Sequence, residues 1–69
     1  MEKLIAIRAK IRLLRIEKGY SQSYLGNQLS MSQISYHKLE SGKTELKVKT
    51  LLELARLLEV SENYFFDSD

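Results

Sequence analysis

The 69-residue chain has no cysteine and no proline, only three glycines, and a single histidine, His37. Without cysteine there is no disulfide to staple a small fold, and one histidine cannot supply a metal-ligand set. A chain of this length buries only about 60% of its unfolded surface. Its stability must therefore come from closely packed helices, helped by self-association. The length allows one domain, residues 1–69. No apolar run approaches the ~18 residues needed to cross a bilayer, and no secretory leader pattern is present. A cytoplasmic protein without a membrane partner is the expectation. No carboxylate pair, Ser–His–Asp set, phosphate loop or metal cluster is present, which argues against an enzyme and against a cofactor.

Net charge is only +2, but its distribution is uneven. Residues 1–58 hold all eleven Lys and Arg against five acids, whereas Glu59, Glu62, Asp67 and Asp69 end the chain without a base. A basic body with an acidic end suits one face against a polyanion. An ordinary solvated surface explains the charge pattern equally well.

The residues read as an all-α chain of five helices, about 2–18, 22–29, 33–41, 48–58 and 62–66, with no strand candidate. In the first, Leu4, Ile7, Ile11, Leu14 and with them Ile5 fall at spacings of three and four, the pattern of one buried stripe. Gly19 supplies the left-handed residue that ends it. Ser21 and Ser32 are good N-caps for the next two helices, and Gly42 closes the third. Leu25, Leu29, Tyr36 and Leu39 face the core. Gly26 inside the second helix costs about 1 kcal/mol relative to Ala and is tolerated where another helix crosses closely. Leu51, Leu54, Ala55 and Leu58 line the fourth helix. Ser61 caps the last, and the tail 67–69 is expected to fray.

The stretch Ser21–Gly42, two short helices around a tight turn, is the most informative part of the chain. A helix held this way fits the major groove of DNA, about 12 Å wide. The outward residues Gln33, Ile34, Ser35, His37 and Lys38 offer donors, acceptors and one apolar contact suited to base edges. Gln pairs with adenine, Lys with guanine O6 and N7, and Ile34 suits a thymine methyl. The solvated side of a core helix explains the polar residues too, but leaves exposed Ile34 unexplained. Free backbone N–H groups at Gln22 and Ser32 favour an anion, and Lys43, Lys47 and Lys49 stand ready for phosphates on the other flank.

The run Ser21-Gln22-x-x-Leu25-x-x-x-Leu29-x-Met31-Ser32, followed by Lys38-Leu39-Glu40-x-Gly42, resembles the helix-turn-helix of the Cro/C1-type (XRE) family. The similarity extends over about residues 4–66, with Ile11, Leu14 and Arg15 before the motif and Leu51, Ala55, Leu58, Val60, Ser61 and Phe65 after it. It implies a five-helix bundle of the lambda-repressor-like DNA-binding type. It also implies a sequence-specific double-stranded DNA-binding regulator, a repressor or autoregulator. Gln33, Ile34, Ser35, His37 and Lys38 would then lie along the groove, with Gln33 and His37 foremost for base edges. Arg15, Gln22, Ser32, Lys43, Lys47 and Lys49 would meet phosphates, and Arg15 would pair with Glu40.

Five departures from the family pattern stand out. Ser30 occupies a turn position usually held by Gly, and Glu59 another. Gly26 replaces the usual Ala. Tyr36 replaces Ile or Val, which implies a hydroxyl carried to the surface toward a phosphate. Glu62 stands where an apolar residue is usual.

One helix in a groove buries little surface, so a two-fold operator bound by a homodimer is expected, at least on DNA. Leu52, Leu57, Tyr64 and Phe66 are the candidate dimer surface. The alternative function is an antitoxin-type interaction module that grips a toxin through the same C-terminal helices.

Overall fold

Strong helix formers run unbroken from Glu2 to Glu17, and that span is α1 in the computed structural model, which describes residues 2–66 apart from the Glu2 side chain. The tail 67–69, expected to fray, lies outside the described residues. Three more α-helices follow: α2 (Gln22–Gln28), α3 (Gln33–Ser41) and α4 (Val48–Leu58). The fifth element is a 3-10 turn, Glu62–Phe65, and not a fifth α-helix. Its Ser61 stands at the cap position but makes no side-chain capping bond. No strand occurs among the described residues.

Both predicted serine caps form. Ser21 Oγ accepts the Tyr24 N–H at 2.9 Å, and Ser32 Oγ accepts the Ser35 N–H at 3.0 Å. Each satisfies a backbone donor that a helix start leaves open. The helix ends share one device. Gly19, Ser30, Gly42 and Glu59 follow α1 to α4 in turn, and all four have positive φ. After α2, for instance, the Met31 N–H reaches back to Gly26 O at 2.7 Å and the Ser30 N–H to Asn27 O at 3.1 Å, a Schellman closure.

Glycine enters the left-handed region freely, whereas other L-residues are strained there by roughly 1–2 kcal/mol. Ser30 and Glu59 therefore hold their turns under strain. Ser30→Gly is expected to raise stability by about 0.5–1 kcal/mol, a few degrees in Tm. Thermal melts of the two proteins check this, and an unchanged or lower Tm would refute the strain.

The core joins Ile7 and Ile11 of α1, Leu25 of α2, Tyr36 and Leu39 of α3, Leu51, Leu54, Ala55 and Leu58 of α4, and Phe65. Leu14 and Leu29 pack against it half-buried. Two members of the expected α1 stripe are corrected, since Leu4 is 38% and Ile5 66% exposed. At 3.6 residues per turn, Ile5, Ala9, Leu13 and Ile16 fall opposite Ile7 and Ile11, and all four are exposed. So α1 carries a second apolar face, turned to solvent. Leu57 is also corrected: it packs half-buried against the core and is not an open surface residue.

The α2–turn–α3 unit is packed tightly at Gly26. A Cβ built there would lie 3.2 Å from Met31 O, Ser32 O and Tyr36 Cβ, the close crossing expected from a helical glycine. Two lysines of α1 hold the chain's last described residues. Lys10 Nζ donates to Tyr64 O at 2.9 Å and lies 5.1 Å from the Tyr64 ring centre, and Lys3 Nζ reaches Phe66 O at 3.4 Å. Lys18 and Glu59 meet in an exposed ion pair at 2.8 Å, which joins the ends of α1 and α4; pairs of this kind contribute little.

Candidate nucleic-acid interface

The outward face of α3 is set by what its inward face grips. Tyr36 and Leu39 are buried, so the residues on the other side of the helix, Gln33, Ile34, His37, Lys38 and Ser41, are turned outward and exposed. Ile34 is 70% exposed, in the middle of this polar group. Ser35 lies at the margin, and its hydroxyl accepts a bond from Ser32 Oγ at 3.1 Å.

Beneath this face runs a hydrogen-bonded cluster centred on Glu40. Arg15 of α1 donates to both carboxylate oxygens, Nε to Oε2 at 2.9 Å and Nη2 to Oε1 at 3.1 Å. Its remaining nitrogen donates to Tyr20 O at 3.0 Å. Tyr36 Oη donates to Glu40 Oε2 at 2.7 Å and Gln22 Nε2 to Glu40 Oε1 at 3.1 Å. The two charged side chains are only 12% and 5% exposed. No buried side-chain polar atom among the described residues lacks a partner, as a desolvated ion pair requires.

The charges respond accordingly. Burial works against the Glu40 carboxylate, but hydrogen bonds from Arg15, Tyr36 and Gln22 outweigh it and hold the carboxyl below its ordinary value of 4.5. The bond to Glu40 keeps the Arg15 guanidinium charged more firmly still. Burial, reinforced by the bond to Glu40, pushes the Tyr36 phenol far up, so it remains a neutral donor.

The Tyr36 ring faces the core as expected, but its hydroxyl departs from its expected place. It has no solvent exposure and its hydroxyl is committed to Glu40, so it cannot meet a phosphate. Burying the ring in the core while the hydroxyl finds a carboxylate satisfies both ends of the side chain. Arg15 and Gln22, expected at phosphates, are half-buried and joined to Glu40. Gln22 also reaches His37, with Oε1 3.3 Å from Nδ1. Ser32 spends its hydroxyl on the cap.

The remaining cations flank α3. Lys38 and Lys47 line one depression with Met31, Ser35 and Thr50. Lys43 and Lys49 are exposed but stand outside that group. On the opposite side, Arg12 lines a depression with Gln22, His37 and Ser41.

Two arginines carry more than the sequence indicated. Arg12 was one surface cation of α1 among several; its spacing of three from Arg15 was the available signal. Arg8 clamps the C-terminal end of α3, with Nε donating to Leu39 O at 3.0 Å and Nη2 to Thr44 O at 2.8 Å. A cation there suits the negative end of the helix dipole. No group of His, Cys, Asp or Glu among the described residues could hold a metal.

Two short helices, a tight turn and an exposed polar face flanked by cations define a helix-turn-helix protein. A family model described as helix-turn-helix matches residues 11–65. The chain belongs to this family, in its Cro/C1 (XRE) type. It is similar to the SPbeta prophage-derived uncharacterized HTH-type transcriptional regulator YonR of Bacillus subtilis (strain 168). The two are 36% identical over 55 residues, which cover 80% of this chain and 51% of YonR. The chain thus spans about half the length of that curated relative. No solved structure matches it. No helix among the described residues is long and apolar enough to cross a membrane.

Proposed function

We propose that the chain is a sequence-specific double-stranded DNA-binding transcriptional regulator, a repressor or autoregulator, with α3 in the major groove. The observation that carries this reading is the pairing of an exposed reading face with a buried anchor. Ile34 and its polar neighbours project from a helix whose underside is tied to α1 and α2 through Glu40, so few side-chain motions remain to be frozen on binding. Gln33, Ile34, Ser35, His37 and Lys38 read base edges. Lys43, Lys47 and Lys49 hold phosphates, joined by Arg12, while Arg15 serves mainly to position α3. The transcriptional role stated in the name of YonR points the same way.

Gln33→Ala is expected to cost about 1–3 kcal/mol on the operator and little on random DNA, whereas Lys43→Ala weakens both alike and flattens the salt dependence. Gel shifts on both DNAs across a salt series measure this. Equal losses on the two DNAs for Gln33→Ala would end its role as a reader.

The operator is two-fold and bound by two copies. Half-sites stand about 34–36 Å apart, and the longest extent of the molecule is 30 Å, so two copies side by side reach adjacent turns of one DNA face. Leu52, Tyr64 and Phe66 are the proposed contact, and the outward stripe of α1 is the rival face. Sedimentation on operator DNA should show two copies, with Phe66→Lys reducing them to one and Leu13→Lys leaving two. The reverse pattern assigns the dimer to α1. A chain that stays monomeric in both settings would leave the C-terminal surface to a protein partner such as a toxin.

A further inference from the structure

The geometry points to a fixed tautomer for His37: Glu40, acting through Gln22, holds the proton on Nδ1 and presents Nε2 to DNA as an acceptor selecting the exocyclic amino group of adenine or cytosine. The chemistry of the three groups fixes the position of the proton. An ionised carboxylate accepts hydrogen bonds and donates none. Glu40 is kept ionised by the bidentate Arg15 and by Tyr36. The Gln22 atom 3.1 Å from Glu40 Oε1 must therefore be the amide nitrogen. That choice turns the Gln22 carbonyl oxygen toward His37, 3.3 Å from Nδ1. A carbonyl oxygen only accepts, so Nδ1 carries the hydrogen. In the neutral imidazole the other nitrogen is then bare.

His37 lies on the exposed side of α3, one turn along from Gln33 and Ile34. The major groove offers hydrogen-bond donors at only two places, adenine N6 and cytosine N4, whereas guanine O6 and N7 and thymine O4 are acceptors. An acceptor at Nε2 matches the first pair and sets lone pair against lone pair on the second. Gln22 and Glu40 are thus positioning residues for base choice as well as parts of the fold. Charged groups from two elements face this site, Arg12 and Arg15 from α1 and Glu40 from α3. Among these, Glu40 is the one whose hydrogen-bonded chain ends on the imidazole.

The tautomer is independent of the DNA-binding proposal; only the base preference rests on it. Long-range proton–nitrogen NMR of the free protein is expected to show His37 with Nδ1 protonated. Gln22→Ala, in which the amide spectrum verifies the fold, should shift the proton toward Nε2. A wild-type His37 protonated on Nε2 would overturn the inference. Should Gln22→Ala fail to fold, Gln22→Met supplies the same comparison with the stem kept.

Selection of bound sites then tests base choice. The position lost in His37→Ala should be adenine or cytosine, and a guanine or thymine there should weaken wild type about tenfold. An amino-lacking analogue, purine for adenine or pyrimidin-2-one for cytosine, should cause the same loss and leave His37→Ala unaffected. The two analogues also distinguish the two bases. Preference for guanine would overturn the specificity claim with DNA reading intact, whereas a wild type that selects no sequence would refute the DNA proposal and leave the tautomer result standing.

Discussion

Arg15→Ala is expected to lower the unfolding free energy by about 3 kcal/mol, the lower end for breaking a buried ion pair. Removing the guanidinium strands a carboxylate that is 5% exposed and takes away two of its four hydrogen bonds. Domains of this size have a total stability of roughly 3–10 kcal/mol, so the variant would be marginal. Urea denaturation measures the loss, and a change below about 1 kcal/mol would show that water already screens the pair.

Replacing the whole cluster should behave differently. Arg15→Met, Glu40→Leu and Tyr36→Phe together leave no stranded charge and no orphaned hydroxyl, and apolar replacement of a buried ion pair is often neutral or stabilising. The triple variant is expected to fold at least as well as Arg15→Ala but to lose discrimination between operators, because Gln22 no longer has a carboxylate to orient it. Stability and specificity would then part in one protein.

The cluster also sets a dependence on acid. The Glu40 carboxyl is lowered by the fold, so the unfolded chain takes up its proton more readily. Its contribution is fully present above the ordinary value of 4.5 and fades as pH falls through the lower folded value. Stability measured at stepped pH should drop in that acid window for wild type and drop less for the triple variant. Parallel curves would show that other carboxylates control acid unfolding.

The second large effect is expected at Gly26. An added Cβ meets Met31 O, Ser32 O and Tyr36 Cβ at 3.2 Å, tighter than most real contacts. In Gly26→Ala the gain in helix propensity, about 1 kcal/mol, roughly offsets the small shift its neighbours must make. Gly26→Val has no such balance. Its branched methyls push against two backbone carbonyls of the α2–α3 turn, which cannot swing aside like a side chain, and the expected cost is about 3 kcal/mol. Relief requires α3 to move away from α2, so operator binding should fall beyond what stability alone explains. Melting curves and binding titrations on the series Gly, Ala, Val test this; Val tolerated within about 1 kcal/mol would mean that the crossing is looser than its contacts indicate.

How much was legible depended on whether the deciding forces were local. Helix starts at Ser21 and Ser32 and stops at Gly19 and Gly42 follow from single-residue backbone chemistry, and they stand where the pattern put them. The fifth element follows a serine at a cap position, which favours a helix, but its four residues are too few to close successive α-type bonds, and a 3-10 turn results. On α1 the spacing points to one buried stripe that takes in Leu4 and Ile5, yet both are exposed. Both of its faces are apolar, and only the presence of α3 and α4 against Ile7 and Ile11 decides which is buried.

The stretch Ser21–Gly42 shows the same division. By itself the sequence determined two capped helices about a turn, the identity of the outward residues and the cations near them, since helical period and capping act within a few residues. Only the tertiary structure decided that the Tyr36 hydroxyl turns to Glu40, that Ser30 bears a left-handed turn, and that Gln22, Glu40 and His37 form one chain of hydrogen bonds. Those outcomes depend on which groups from distant parts of the chain compete for the same carboxylate and the same buried space, and that competition is settled when the helices pack.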